Sequence, residues 1–138
     1  MFLLYPFSVL YGFLTFVRNK LFDLRLKPQQ SFRVPIIAVG NITVGGTGKT
    51  PFVEFLIRSL SNRYRIAVLS RGYKRKSKGV IIANEQTTAS IIGDEPAQIL
   101  QKFPHVKVAV AEKRVEGIDR LLHLESPPEL ILLDDAFQ

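Results

Sequence analysis

The chain has 138 residues, 46% hydrophobic and 22% charged, with a formal net charge of +7; this suffices for one domain with a real core and calls for an anionic partner, whether nucleic acid, a phosphorylated substrate or an anionic membrane surface. The absence of cysteine excludes disulfides, thiolate metal sites and a cysteine nucleophile, and fits a reducing cytosol. The two histidines, His105 and His123, stand far apart without flanking ligand spacing, which argues against a zinc site.

In chain order, the first element is apolar. From Met1 to Val17 no residue is charged, and then Arg18, Lys20, Arg25 and Lys27 arrive together with Asp23. A secretory signal would begin with a positive side chain, and "MFLLYPFS" has none. A membrane-spanning helix needs about 20 apolar residues, at least roughly 17, and this run carries Pro6 and Gly12. Leu3, Phe7, Leu10, Leu14, Val17 and Leu21 recur at helical spacing, with Ser8, Gly12, Thr15 and Asn19 on another face, which predicts a weakly amphipathic helix. Such a helix could lie in a membrane interface with its terminal cations on anionic headgroups, or pack onto its own domain. Residues 1–27 are accordingly read as a membrane-associating helix and residues 28–138 as a separate domain.

From residue 34 the pattern changes to short β-branched runs between helical stretches. Val34–Val39 reads as a buried strand, Thr50–Leu60 as a helix with Pro51 in its first turn, Tyr64–Ser70 as a second strand and Gly79–Ala83 as a third. Asp94–Phe103 begins with two acids and a proline, which are helix-start signals. Val106–Ala111 and Leu130–Asp135 supply two more strands, with the helix Glu112–Leu122 between them. Strands alternating with helices imply an α/β fold with a mainly parallel sheet and flanking helices. In such sheets ligands sit at the carboxyl ends of strands, so the loops after Val39, Ser70 and Leu133 converge in space.

Three motifs carry chemistry. "TVGGTGKT", Thr43 to Thr50, matches the phosphate-loop pattern except at its first position, where Thr43 replaces glycine. Here Thr43, Val44, Gly45, Gly46, Thr47 and Gly48 would cradle phosphate with backbone N–H groups. Lys49 would reach the β- and γ-phosphates, and Thr50 would place its hydroxyl on Mg²⁺. "LILLDD" has the form of a Walker B strand, with Asp134 the first candidate for the metal shell and Asp135 beside it. "IGDEP" either caps and charges the following helix or supplies a spare carboxylate, Asp94, to accept the proton of an attacking hydroxyl. The densest basic cluster is "RGYKRKSKG", Arg71 to Gly79.

Taken in order, "VPIIAVGNITVGGTGKTP", "LSRGYKRKSKG", "IGDEPAQI", "VAVAEKRVEGI" and "ILLDDAFQ" resemble the tetraacyldisaccharide 4'-kinase family over essentially the whole chain. That family includes threonine at the first loop position. The resemblance implies a P-loop NTPase-like kinase lobe. With ATP and Mg²⁺ it would phosphorylate the 4'-hydroxyl of an acylated glucosamine disaccharide 1-phosphate to form lipid IVA in lipid A biosynthesis, at the cytoplasmic face of the bacterial inner membrane. It further implies Lys49 and Thr50 on nucleotide and metal, Asp94 as catalytic base, Glu95, Asp134 and Asp135 in the metal region, and Arg71 on the substrate's phosphate. Two departures stand out. Ala136 replaces the glycine of the usual "DDGFQHR", and the family's second α/β lobe, with a histidine that pairs with the catalytic aspartate, has no counterpart here. The chain resembles the N-terminal portion only, so these residues alone are expected to catalyse poorly.

Two other classes compete. Partition-type or metal-delivery ATPases carry a lysine where this chain has Val44. A non-enzymatic module could use the basic patch on lipid or nucleic acid, but the patch interleaves only Tyr73 with its cations, which speaks against nucleic acid.

Overall fold

The computed structural model describes residues 5–24, 30–40 and 49–136. Contacts divide the chain into two units, Met1–Phe32 and Arg33–Gln138. The first unit contains helix α1, Tyr5–Asp23. Its side chains Val9, Leu10, Tyr11, Phe13, Leu14 and Phe16 are exposed. Among the described residues no helix is long and apolar enough to cross a membrane.

The second unit is built on strands β1 (Ile36–Val39), β2 (Ile66–Ser70), β3 (Ile81–Ile82), β4 (Lys107–Val110) and β5 (Leu130–Asp134). Its helices are α2 (Lys49–Leu60), α3 (Ala89–Ile92), α4 (Asp94–Lys102) and α5 (Arg114–Leu122). The sheet order is β1-β5-β2-β4-β3. All pairs are parallel except β3 with β4. The register places Val39 beside Asp134 and Ser70 beside Val110, so the carboxyl ends of β1, β2, β4 and β5 form one edge.

Alternation along the central strands sorts the core into two faces, because successive side chains of a strand point to opposite sides. Val68, Val108 and Leu132 join Val53 and Ile57 of α2, Ile99 of α4 and Phe103 just after it in one buried cluster. On the other face, Leu69 meets α5 at Gly117, where an added Cβ would lie 2.8 Å from one Leu69 methyl and 3.0 Å from the Ala111 Cβ. Glycine there lets the helix approach the sheet more closely than any side chain would permit. Helices therefore cover both faces, the layered α/β arrangement expected from the strand and helix alternation.

Three details differ from the sequence reading. The strand expected over Gly79–Ala83 is reduced to Ile81–Ile82 and runs antiparallel at the sheet edge, because Gly79 stands at φ +77° and ends the preceding loop. Helix α3, unforeseen, leads into Gly93. Helix α5 starts at Arg114 rather than Glu112, since Glu112 spends its carboxylate on the neighbouring loop.

Candidate active site

Strands β1, β2 and β5 each run into a motif at the common carboxyl edge, whereas "IGDEP" follows helix α3. The stretch Thr43, Val44, Gly45, Gly46, Thr47 and Gly48 lies outside the described residues. The structure takes up the chain at Lys49, the first residue of α2, with Pro51 in the first turn, where its missing N–H costs nothing. Lys49 and Thr50 are half-buried.

Lys49 Nζ donates a hydrogen bond to Asp135 Oδ1 and forms an ion pair with it. This bond raises the lysine pKa above its ordinary value against the opposing effect of burial, and the nearby charges of Asp134 and Glu95 add to it. The ammonium is thus held charged at the edge of the sheet. Asp135 itself adopts φ +58°, a region that costs a non-glycine residue about 1 kcal/mol or more and persists only when its surroundings fix it. Three contacts do so. Lys49 takes the carboxylate, Asp134 Oδ1 accepts the Asp135 N–H at 2.9 Å, and Arg114 Nη2 donates to the Asp135 carbonyl. Ala136 follows outside the left-handed region, and its N–H donates to the Val39 carbonyl at 3.0 Å. A methyl is therefore tolerated at this position without backbone strain.

Asp134, at the end of β5, is only 1% exposed. Its Oδ2 is buried without a hydrogen-bond partner among the described residues. Burial first, then the negative charge of Glu95, pushes its pKa up to about 6, partly offset by the Asp135 N–H and by Lys49. A carboxylate oxygen left bare in such a place suits a cation. Among the described residues no three His, Cys, Asp or Glu side chains gather to hold a metal ion by themselves. That donor set fits Mg²⁺, which takes one or two carboxylates and completes its shell with water and phosphate oxygens.

Asp94 and Glu95 open α4 and are exposed. The cap position belongs to Gly93, at φ +94°, where a Cβ would lie 3.0 Å from the Tyr73 carbonyl. Glycine is required there by conformation and by space. Asp94 is thus freed from capping. It shares a cavity of about 140 Å³ with Glu95, Ser70, Tyr73, Lys74 and Asp135. Arg71 lines an adjoining cavity of about 440 Å³ bounded by residues 71–78, Glu112 and Asp135. Asp135 and the Tyr73–Lys74 pair border both spaces, so the acidic and basic motifs face one region. A larger cavity of about 670 Å³ lies near Asn84, Gln101 and Lys107. It contains no motif residue, and chemistry points to the smaller spaces.

The structure therefore brings Lys49, Thr50, Arg71, Asp94, Glu95, Asp134 and Asp135 to one edge. Sequence reasoning missed Glu112, Arg114 and the buried Arg75. A signal for the first two was present, since "EKR" directly follows a strand that ends at the same edge.

A parallel α/β sheet with a lysine opening the helix after β1 and an acidic pair ending a central strand is the architecture of a phosphate-loop kinase. Comparison with known proteins gives the particular family. The chain matches the tetraacyldisaccharide-1-P 4'-kinase family over residues 1–138, and it belongs to that family. It is 61% identical over 135 residues to the tetraacyldisaccharide 4'-kinase of Flavobacterium psychrophilum, covering 98% of this chain and 39% of that protein. It is 55% identical over 136 residues to the same enzyme of Bacteroides thetaiotaomicron, covering 98% of this chain and 36% of the relative. A crystal structure of the "apo" form of LpxK from Aquifex aeolicus in complex with ATP superposes with a TM-score of 0.76 at 44% identity, covering 98% of this chain and 44% of that one. The chain thus spans about two fifths of the length of these relatives. Membership in this family sets aside the partition-type and metal-delivery ATPases.

Proposed function

We propose that the protein carrying these residues transfers the γ-phosphoryl group of ATP to the 4'-hydroxyl of a tetraacylated glucosamine disaccharide 1-phosphate, forming lipid IVA in lipid A biosynthesis. The reading is carried by the convergence of Lys49, the Asp134–Asp135 pair and Asp94 at one sheet edge in a chain of this kinase family. Mg-ATP, when bound, supplies the phosphoryl donor and neutralises charge on the transferring group. For the metal, Asp134 offers its unpartnered Oδ2, with Glu95, Asp135 and the Thr50 hydroxyl as further oxygen donors.

The chain's own residues then have separate tasks. Thr43 to Gly48, the motif residues before α2, are assigned to the nucleotide's phosphates. Lys49, held by Asp135, presents a fixed positive charge at the start of α2, where the helix N-terminus adds its partial charge. Asp94 accepts the proton of the attacking hydroxyl on a carboxylate oxygen, since it is exposed to the cavity and not used as a cap. Such a base contributes about 10²–10⁴-fold to rate. Arg71, from the adjoining cavity, meets a phosphate of the acceptor.

Helix α1 is read as the part that docks to the membrane. Its exposed Phe13, Leu14 and Phe16 supply apolar area, and Arg18 and Lys20 follow toward its end. This suits a substrate anchored by acyl chains at the cytoplasmic face of the inner membrane. Oligomeric assembly is not required by any of these roles.

The test uses the full-length protein with γ-labelled Mg-ATP and a detergent-dispersed acylated disaccharide 1-phosphate. Label is expected on the 4'-position, with transfer reduced about 10²-fold or more in Asp94→Ala and in Lys49→Ala. Transfer that survives Asp94→Ala nearly intact would remove Asp94 from the base role. ATP hydrolysis without transfer would overturn the kinase reading.

A further inference from the structure

We propose that Arg75 and Glu112 are positioning residues, a clamp that fastens the basic loop 71–79 onto the turn before α5 and so sets where Arg71 and Lys74 meet the anionic acceptor. The inference rests on the kinase reading above and adds two residues to it. Within "RGYKRKSKG" most cations are exposed, but the Arg75 side chain is only 3% exposed. Its Nη2 donates to Glu112 Oε1 at 2.6 Å and to the Gly79 carbonyl at 2.7 Å, while Nη1 donates to Ser77 Oγ at 3.4 Å. Glu112 returns through its other oxygen, accepting the Gly79 N–H at 3.0 Å. One guanidinium fork and one carboxylate thus close the far end of the loop, a geometry that an ammonium could not reproduce.

The near end is fixed by the loop's own backbone, the Arg75 N–H donating to the Gly72 carbonyl at 3.2 Å. The middle is laid on α3. The Lys76 N–H donates to the Ser90 carbonyl at 3.0 Å, and Ser77 Oγ donates to the Ile91 carbonyl. Helix α3 leads through Gly93 to Asp94, and the Tyr73 carbonyl packs against Gly93. Between these fastenings Lys74 is held at φ +60°, with its ammonium 5.3 Å from the centre of the Tyr73 ring. A lysine in the left-handed region needs surroundings that over-determine it. Because Arg75 and Glu112 neutralise each other, they are not the anion site. They leave Arg71 and Lys74, with Lys76 and Lys78, as exposed cations on the cavity wall. The turn before α5 fastens both sides, since Arg114, two residues after Glu112, donates to the Asp135 carbonyl.

The test compares Glu112→Ala, Arg75→Lys, the double variant and Glu112→Gln in the full-length protein. Each of the first two is expected to raise KM for the acylated disaccharide 1-phosphate about tenfold while KM for Mg-ATP and kcat change less than about twofold. The double variant should be no worse than either single, because the two residues act as one unit. Glu112→Gln keeps an oxygen acceptor and should recover most of the loss. Independently of activity, trypsin should cut within residues 71–78 about tenfold faster in Glu112→Ala at an unchanged urea midpoint, since loop cleavage follows local opening. Equal effects on both substrates, additive singles or an unchanged cleavage rate would overturn the clamp. If wild-type protein phosphorylates no lipid, the kinase reading falls, and the cleavage rates alone decide the clamp. Should Glu112→Ala fail to fold, Arg75→Lys carries the same comparison, with Glu112→Gln as the near-wild-type control.

Discussion

Replacing Asp134 by asparagine should make the nucleotide-free protein more stable at pH 8, relative to wild type, than at pH 4, while removing its response to magnesium. Asp134 is buried at the end of β5, one of its oxygens has no partner among the described residues, and its pKa stands at about 6 against 3.8 for the free side chain. A carboxyl whose folded pKa is raised binds its proton more tightly in the native state. Its contribution is therefore most favourable below the unfolded value and is lost as pH rises through the folded one. A difference of roughly two pH units corresponds to about 3 kcal/mol, lost mostly between pH 4 and pH 6. Asparagine does not titrate, and its amide oxygen can still accept the Asp135 N–H. The variant's stability relative to wild type should thus rise by about 3 kcal/mol from pH 4 to pH 8, whatever its constant offset. Urea unfolding of both proteins with a chelator at several pH values measures this directly. Wild type should also gain stability from Mg²⁺ above pH 6 and little below it, and the variant should gain little at any pH. A difference between the two proteins that stays flat from pH 4 to pH 8 would refute the buried-carboxylate argument.

Two further outcomes follow from packing and exposure. Gly117→Ala places a methyl against Leu69 and Ala111 at 2.8 to 3.0 Å, and overpacking of this kind costs about 1–3 kcal/mol. A lowered urea midpoint, with lipid phosphorylation per folded molecule unchanged, is expected. For α1, the double change Phe13→Ser, Phe16→Ser removes exposed apolar area. It should weaken co-sedimentation with vesicles containing anionic lipid by about tenfold or more at the usual apolar transfer energy per area. Equal sedimentation of variant and wild type would separate α1 from the membrane.

The layered architecture was legible because β-branched runs and helix-start signals alternate at fixed intervals, and this period is a local property of sequence. The β3 strand was overestimated for the converse reason. A run such as "GVIIA" carries propensity, but the length of an edge strand is set by how far its neighbour can pair with it, and here Gly79 turns the chain away. Likewise "DEPAQILQKF" announced a helix, yet whether Asp94 caps it or stands free was decided by Gly93, which takes the cap position at φ +94° with the Tyr73 carbonyl close against it.

The candidate site divides in the same way. Lys49, Asp94, Glu95, Asp134 and Asp135 were found from motifs, since each motif is a short run whose residue types are fixed by the chemistry of phosphate and metal. Their partnerships were not. That Asp135 holds Lys49 while Asp134 lies buried with a bare oxygen depends on β5 running between β1 and β2 and on a left-handed residue at its end. Arg75 illustrates the limit most plainly. In sequence it is one cation among several, and only the approach of Glu112 from the turn after β4 makes it a buried clamp. Local composition determined which chemistry this chain can host, because propensity and motif act over a few residues. Tertiary structure decided which charges are paired, buried or free, because those properties belong to contacts between segments distant in the chain.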